Sequence, residues 1–124
     1  LDLILERTRA LGMEGKVVAI VTHESATGLG LAPGAEAFAL VKASSIIVVT
    51  DDKGARFSAR NRLKGTVSRV QKGAVNTEVV IGLPGGASVA AIITNESSDA
   101  LGLAPGVEAS ALFKASSVIV GVPA

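Results

Sequence analysis

The polar motifs that recur in this sequence consist mainly of hydrogen-bond donors. Two copies of a repeated segment each supply hydroxyl groups and an ammonium group, and a Ser-Ala-Arg-Asn segment between them adds a hydroxyl and a guanidinium. Such a donor set suits the binding of an oxyanion, which accepts hydrogen bonds. The candidate residues are Thr22, Ser25 and Lys42 in the first copy, Thr94, Ser97 and Lys114 in the second, and Ser58 and Arg60 between the copies.

Both threonines precede a stretch that is predicted to begin a short helix. A Thr N-cap with a Ser three residues later leaves backbone N–H groups pointing out of the helix start, where the helix dipole attracts an anion. The simpler interpretation is that the threonines only cap helices and that the lysines are solvated. The co-occurrence of hydroxyl, lysine and arginine motifs favours the anion site. Glu24 and Glu96 would repel a dianion, so we expect both carboxylates to face outward.

Other site chemistries find little support in the sequence. His23 is the only histidine, its counterpart in the second copy is Asn95, and the chain contains no cysteine. The absence of cysteine excludes a thiolate metal site, and a lone histidine that the second copy replaces is typical of a surface residue rather than of a metal ligand or a catalytic base. The glycines match neither the dinucleotide-binding fingerprint nor the P-loop. We therefore predict a binding protein with no catalytic residue, no resident metal and no organic cofactor.

The composition narrows the class of protein and its partners. A chain that is 48% hydrophobic and 19% charged is globular rather than disordered, and it has no apolar run near the ~18 residues of a membrane span. A formal net charge of +1 with only three phenylalanines provides neither the basic groove nor the stacking platforms of a nucleic-acid-binding surface. We predict no membrane or nucleic-acid partner for this segment. The chain opens at Leu1 inside an apolar run, which leaves open whether residues precede it.

The chain is an internal duplication. Aligning residues 17–50 with residues 89–122, an offset of 72, gives 22 identical residues out of 34. Upstream, residues 1–5 align with residues 79–83 at an offset of 78, which predicts six extra residues in the first hairpin. Residues 58–78 then have no counterpart in the first copy. The opening strand of the first copy is therefore missing from this sequence or comes from elsewhere.

The spacing of apolar runs and turn residues predicts about five short strands and one short helix in each complete unit. This content is typical of a small OB-like barrel. The sequence thus predicts a mainly β protein of two OB-like five-stranded barrel lobes in tandem, each with a short helix. We place the first lobe at residues 1–53 and the second at residues 54–124. Each lobe has a small core, so we expect the lobes to pack on each other and on other chains.

A set of short motifs now indicates a family. Together they resemble the molbindins, which are tandem Mop domains of the TOBE-like type, and the similarity covers nearly the whole chain. The resemblance implies OB-like lobes, binding of molybdate or tungstate in the cytoplasm, and a homotrimer with oxyanion sites between lobes of different subunits. The motifs are Ser58-Ala59-Arg60-Asn61, Lys64-Gly65-Thr66-Val67, Gly73 to Val79, Thr94-Asn95-Glu96-Ser97 and Lys114-Ala115-Ser116-Ser117.

The resemblance also implies a role for each candidate residue. No counterpart of Ser58 and Arg60 is visible in the first copy, so a site that needs them is incomplete there. Molybdate near neutral pH is a tetrahedral dianion that only accepts hydrogen bonds, so a site of pure donors suits it better than hydrogen phosphate. Family binding residues fall on Ser58, Arg60 and Lys114 for one half of a site, on Thr94 and Ser97 for the opposing half, and, by the repeat, on Thr22, Ser25 and Lys42 in the first lobe.

Three functions are compatible with these observations. The first is a non-enzymatic molybdate and tungstate binder for intracellular storage and homeostasis. The second is the effector-sensing C-terminal part of a molybdate-responsive transcriptional regulator. The third is the accessory domain of a molybdate ABC-transporter ATPase.

Overall fold

The computed structural model describes residues 2–5, by their backbone alone, together with residues 17–51 and 54–124. Antiparallel strands dominate these ranges, and short 3₁₀ turns follow Lys42 and Lys114 over Ala43–Ser45 and Ala115–Ser117. The mainly β prediction is confirmed. In chain order the elements are β1 Asp2–Leu5, β2 Val17–Ile20, α1 His23–Gly28, β3 Phe38–Val41, β4 Ile47–Val49, β5 Asn61–Lys72, β6 Asn76–Gly82, β7 Ser88–Thr94, α2 Asn95–Leu101, β8 Glu108–Phe113 and β9 Val118–Gly121.

The second lobe is organised around the long strand β5. Its first half pairs with β8, starting at Asn61 opposite Phe113, and its second half pairs with β6, ending at Lys72 opposite Thr77. The strand therefore joins two neighbours in a five-stranded sheet of order β4-β8-β5-β6-β7. The change of partner falls at Thr66, next to Gly65, where an added Cβ would lie 2.1 Å from the carbonyl oxygen of Gly82. Only glycine allows the two backbones to come this close.

The two lobes exchange their last strands. The last strand of the first lobe, β4, pairs with β8 of the second lobe, and the last strand of the second lobe, β9, pairs with β3 of the first. The two pairings share one register: Val48 lies opposite Ala111, and Val120 lies opposite Ala39. Val120 is the equivalent of Val48, and Ala111 is the equivalent of Ala39, at the offset of 72. The strand exchange therefore follows the sequence repeat.

The exchanged pairs also compensate each other in side-chain volume. Phe38 lies opposite Gly121, and an added Cβ on this glycine would lie 2.4 Å from the phenylalanine ring. At the equivalent pair, Ser110 lies opposite Val49. In the first pair a phenylalanine thus faces a residue without a side chain. In the second pair a serine faces a β-branched valine. The substitutions between the copies fit the packing of the exchanged strands.

The strand pairing corrects the alignment of the opening hairpins. Leu3 pairs with Ala19, and Val79 pairs with Ala91. Because Ala19 and Ala91 are equivalent in the repeat, Leu3 corresponds to Val79 at an offset of 76 (79 minus 3). The predicted offset of 78 is wrong, and the first hairpin has four extra residues (76 minus 72) rather than six. Four of the first five residues are apolar, so the sequence has too little alternation to fix this register.

The core is shared between the lobes. Small and branched apolar side chains from both halves form one buried cluster, in which Val17, Ala19 and Val48 of the first lobe join Val79 and Ala91 of the second. The expectation that the lobes pack on each other is confirmed. Within the described residues, no helix is long and apolar enough to cross a membrane.

Candidate functional site

The three predicted residues Ser58, Arg60 and Lys114 are brought to one end of the β5–β8 pair. Asn61 lies opposite Phe113. Continuing this antiparallel register by one residue places Arg60 level with Lys114, and Ser58 lies two residues farther out. All three residues are exposed in the single chain. Residues that carry a guanidinium, an ammonium and a hydroxyl thus lie at one end of this strand pair.

This cationic end of the second lobe is fixed to the first lobe by Asn61. Its side-chain amide donates to the carbonyl oxygen of Val18 at 2.7 Å, and its side-chain oxygen accepts from the Val18 N–H at 2.7 Å. Asn61 is only 2% exposed. The 3₁₀ turn that follows Lys114 also packs against β2, the strand that contains Val18. The groups around Lys114 therefore lie beside the strand that leads to Thr22.

The repeat places the lysine of the first lobe in the same way. The 3₁₀ turn after Lys42 packs against β7, the strand that ends at Thr94. Within one chain, each lysine motif therefore lies beside the strand that leads to the Thr and Ser residues of the other lobe. The residues Lys42, Thr94 and Ser97 are exposed. The pairing of Thr94 and Ser97 with Ser58, Arg60 and Lys114 stays a prediction.

The Thr and Ser pairs have nearly identical geometry in the two lobes. The Thr22 hydroxyl accepts from the Ser25 N–H at 3.1 Å and donates to the Ser25 hydroxyl at 3.0 Å. The corresponding distances from Thr94 to Ser97 are 3.0 Å and 2.9 Å. The predicted N-caps are confirmed, and they occupy the threonine hydroxyls. Each serine hydroxyl accepts from its threonine, which leaves its own hydrogen to donate outward.

The helices themselves contribute little to this chemistry. They have six and seven residues, so few peptide dipoles are aligned at each start. Glu24 and Glu96 in their first turns are exposed, as predicted. The useful donors at these positions are therefore the serine hydroxyls rather than a helix field.

Asn95 anchors the second Thr and Ser pair to the sheet. Its side-chain oxygen accepts from the Thr77 hydroxyl at 2.6 Å, and its amide donates to the Gly73 carbonyl at 2.9 Å. Its backbone N–H donates to the Val75 carbonyl at 3.0 Å. The equivalent residue in the first lobe is His23, which is exposed. The start of α2 is thus held by three hydrogen bonds.

Sequence reasoning did not assign roles to Asn61 and Asn95. Asn61 closes the Ser-Ala-Arg-Asn motif at the start of a strand, where a polar residue on the inner face is unusual and signals a specific partner. Asn95 differs from His23 within an otherwise repeated Thr-x-Glu-Ser motif. In the part of the chain that the structure describes, no group of three or more His, Cys, Asp or Glu residues could hold a metal ion.

Comparisons with known proteins identify the family of this chain. The model of the TOBE domain family matches residues 10–48 and 58–120. The chain belongs to the TOBE domain family. Its two matched segments correspond to the two copies of the repeat, and the resemblance to molbindins is confirmed.

Similar proteins show how this TOBE chain relates to longer ones. It is 51% identical over 107 residues to the molybdenum-pterin-binding protein MopA of Rhodobacter capsulatus and 37% identical over 105 residues to the transcriptional regulator ModE of Yersinia pestis. The matches cover 86% and 85% of this chain but only 40% of each relative. The chain therefore spans less than half the length of these relatives.

A solved structure supports the fold of the TOBE chain in detail. The molybdate-bound form of the cytoplasmic molybdate-binding protein ModG superposes with a TM-score of 0.85 at 51% sequence identity, covering 87% of this chain and 77% of ModG. The predicted fold of two OB-like lobes in tandem is confirmed by this match.

Proposed function

We propose that this TOBE chain binds molybdate or tungstate as an oxyanion and serves storage and homeostasis of molybdenum in the cytoplasm. The observation that carries the proposal is the likeness to molybdate-bound ModG over 87% of the chain at 51% identity. The proposal includes no catalytic role and no organic cofactor.

The proposed site is centred on Arg60 and Lys114. The support for this centre is that Arg60 and Lys114 adjoin the Asn61 and Phe113 pair at the end of β5 and β8, with Ser58 two residues before Arg60. A dianion between them would be held by charge-assisted hydrogen bonds, each worth roughly 1.5–3 kcal/mol. Since micromolar binding requires about 8 kcal/mol, some half a dozen such contacts suffice after desolvation losses. The guanidinium and the ammonium can only donate hydrogen bonds, which suits molybdate and disfavours the O–H of hydrogen phosphate.

The remaining donors come from the serine hydroxyls of an opposing lobe. Thr94 orients Ser97, and Thr22 orients Ser25, so each Thr and Ser pair presents one outward hydroxyl donor. We assign these pairs to the opposing half of each site, across lobes of different subunits in a homotrimer. Exposed apolar residues on the exchanged strands, such as Ile47 and Ile119, provide surface for such assembly.

Calorimetric titration of the purified chain with sodium molybdate tests the site. Arg60→Ala and Lys114→Ala are each expected to lower the affinity about tenfold or more, because each removes a charge-assisted contact. Arg69→Ala is the matched control, since Arg69 is an exposed arginine of β5, the strand that follows Arg60, and it pairs with Glu78. Circular dichroism checks that all variants are folded. Wild-type affinity in both Arg60→Ala and Lys114→Ala would reject the assignment.

The alternative function is that of an effector-sensing part of a longer regulator. It is favoured by the coverage of the relatives, since the chain spans 40% of the transcriptional regulator ModE of Yersinia pestis. Reading the gene upstream of Leu1 separates the candidates. A helix-turn-helix domain there supports the regulator, a P-loop domain supports the ATPase accessory domain, and a short Ser-x-Arg-Asn strand supports the free-standing binder.

A further inference from the structure

The last two strands of each lobe could have formed a local hairpin. Five residues (42–46) separate β3 from β4, and four residues (114–117) separate β8 from β9. Antiparallel strands joined by so few residues commonly pair with each other. In this chain β3 instead pairs with β9, and β8 pairs with β4. Some feature of the sequence therefore favours the exchanged pairing over the two hairpins.

The central pairs of the exchanged strands do not distinguish these two arrangements. An alanine faces a valine and a leucine faces an isoleucine whichever strands pair, because the two copies are identical at these positions. Farther in, Val118 lies opposite Val41, and its equivalent Ile46 is larger by only one methylene group. The central pairs are Ala39 with Val120, Ala111 with Val48, Leu40 with Ile119, and Leu112 with Ile47.

The outer pairs do distinguish the two arrangements. In the exchanged arrangement, Phe38 faces Gly121 and Ser110 faces Val49. In the two hairpins, Phe38 would face Val49, and Ser110 would face Gly121. The hairpins would thus set the two larger side chains against each other and leave the two smallest residues together.

The packing at the outer pairs makes this difference costly. The ring of Phe38 lies over Gly121, where an added Cβ would come within 2.6 Å of the ring atom Cζ. A valine opposite Phe38 would therefore displace the ring. Ser110 is only 5% exposed, so a glycine opposite it would leave the space that Val49 fills. Overpacking and unfilled space both destabilise a packed pair of strands.

We infer that the outer pairs form a size match that selects the partner of each exchanged strand. The size match consists of Phe38 with Gly121 and of Ser110 with Val49. It favours pairing between a first lobe and a second lobe. It disfavours a hairpin within one lobe, and it equally disfavours pairing between two copies of the same lobe.

The size match also positions the lysines of the proposed site, a step that rests on the proposed function. The 3₁₀ turn after Lys42 packs against β7, and the turn after Lys114 packs against β2. Each turn leads into an exchanged strand. In a hairpin, each turn would close its own lobe and leave the strand of the other lobe. Phe38 and Gly121 thus act on anion binding as positioning residues and not as ligands.

Exchanging the residues at positions 49 and 121 tests the size match. The variant Val49→Gly/Gly121→Val has the same composition as the parent chain. Its hairpins would pair Phe38 with a glycine and Ser110 with a valine, so the good fit moves from the exchanged arrangement to the hairpins.

Three added cysteines report the partner of β3. Leu40→Cys, Ile47→Cys and Ile119→Cys change exposed positions in a chain that has no cysteine of its own. Residue 40 lies opposite residue 119 in the exchanged pairing and would lie opposite residue 47 in a hairpin. Directly opposite residues are close enough for a disulfide. Mass spectrometry of the refolded and oxidised chain identifies which residues are joined, within one chain or between two.

The parent chain with these cysteines should join residue 40 to residue 119 almost entirely. In Val49→Gly/Gly121→Val, the ratio of 40–47 links to 40–119 links should rise at least about tenfold, because both outer pairs now favour the hairpins. The matched control, Phe38→Ser/Gly121→Val, keeps the valine at position 121 but faces it with a serine. Its outer pairs join a serine to a valine in either arrangement, so the ratio should rise only about threefold.

Several results would overturn the size match. An unchanged ratio in Val49→Gly/Gly121→Val would assign the exchange to the Lys-Ala-Ser-Ser turns, which are the same in both lobes. An equal rise in the control would show that the valine acts whatever residue faces it. If Val49→Gly/Gly121→Val does not fold, thermal denaturation of Gly121→Val with and without Phe38→Ser replaces the link measurement. Phe38→Ser should then recover at least about half of the fall in melting temperature, and no recovery contradicts the size match.

Titration with molybdate separates this inference from the proposed function. In the variant whose links shift, the affinity should fall at least about tenfold, because the lysine turns leave the strands beside them. Shifted links with unchanged affinity keep the size match and overturn its role in positioning Lys42 and Lys114. If the parent chain does not bind molybdate while the links shift in the variant, the proposed function fails and the size match stands.

Discussion

The two lobes share most of their sequence in the repeated segment, yet their strands are buried to very different degrees. β8 is covered on both edges, while its near-identical counterpart β3 keeps one edge open among the described residues. The pair Leu40 and Leu112 shows the result, since the same residue type is half exposed in one lobe and buried in the other. The burial of a strand is therefore set by its neighbours rather than by its own residues.

The two lobes also differ in the hydrogen bonds that their side chains make. The second lobe contributes Asn61, which binds the backbone of the first lobe, and it anchors α2 through Asn95. In the described residues of the first lobe, the position of Asn95 is occupied by the exposed His23. The second lobe is thus the one that organises the chain, and substitutions there should be more costly than the equivalent changes in the first.

Asn61→Ala is expected to give the largest loss of stability. It leaves the N–H and C=O of Val18 without their partners next to the shared core, which should cost about 2–4 kcal/mol in the free energy of unfolding. Chemical denaturation measures this change. The control is Asn76→Ala, an exposed asparagine of the same lobe, which should change stability by less than about 0.5 kcal/mol. A loss of stability in Asn61→Ala that is as small as the loss in Asn76→Ala would contradict the link that Asn61 makes between the lobes.

A smaller loss of stability is expected when the residues that begin the two helices, His23 and Asn95, are exchanged. Asn95→His removes the bonds to Thr77 and Gly73 and should cost about 1–2 kcal/mol in the free energy of unfolding. The reciprocal change His23→Asn should stay within about 0.5 kcal/mol, because His23 is exposed. Urea denaturation of the two variants gives the comparison. Equal costs would contradict the different anchoring of the two helices.

Much of the local structure could be predicted from the sequence. The repeat, the strand content and the two threonine caps follow from short-range patterns, because periodicity and N-cap chemistry act within a few residues. The exchange of β4 and β9 could not be predicted, since strands from either copy have the same apolar pattern and the same possible partners. The predicted offset of 78 between the opening hairpins is wrong for the same reason, because the apolar pattern of these strands does not fix their register.

For the candidate site, too, the residue types could be predicted from the sequence but the contacts between distant residues could not. The residue types near Arg60 and Lys114 could be predicted as a donor set from their chemistry. Their location at the same end of β5 and β8 depends on the register of the two strands, which is a long-range property. The links made by Asn61 join residues 43 positions apart in the chain, so no local pattern could identify Val18 as the partner.

The proposed site requires that a molybdate ion lies against Arg60 and Lys114. Anomalous X-ray diffraction from molybdate-soaked crystals, recorded on both sides of the molybdenum absorption edge, locates the metal directly. We expect an anomalous peak from a molybdenum atom whose oxygens lie within hydrogen-bond distance of both side chains. An anomalous peak found only at other residues would contradict this site.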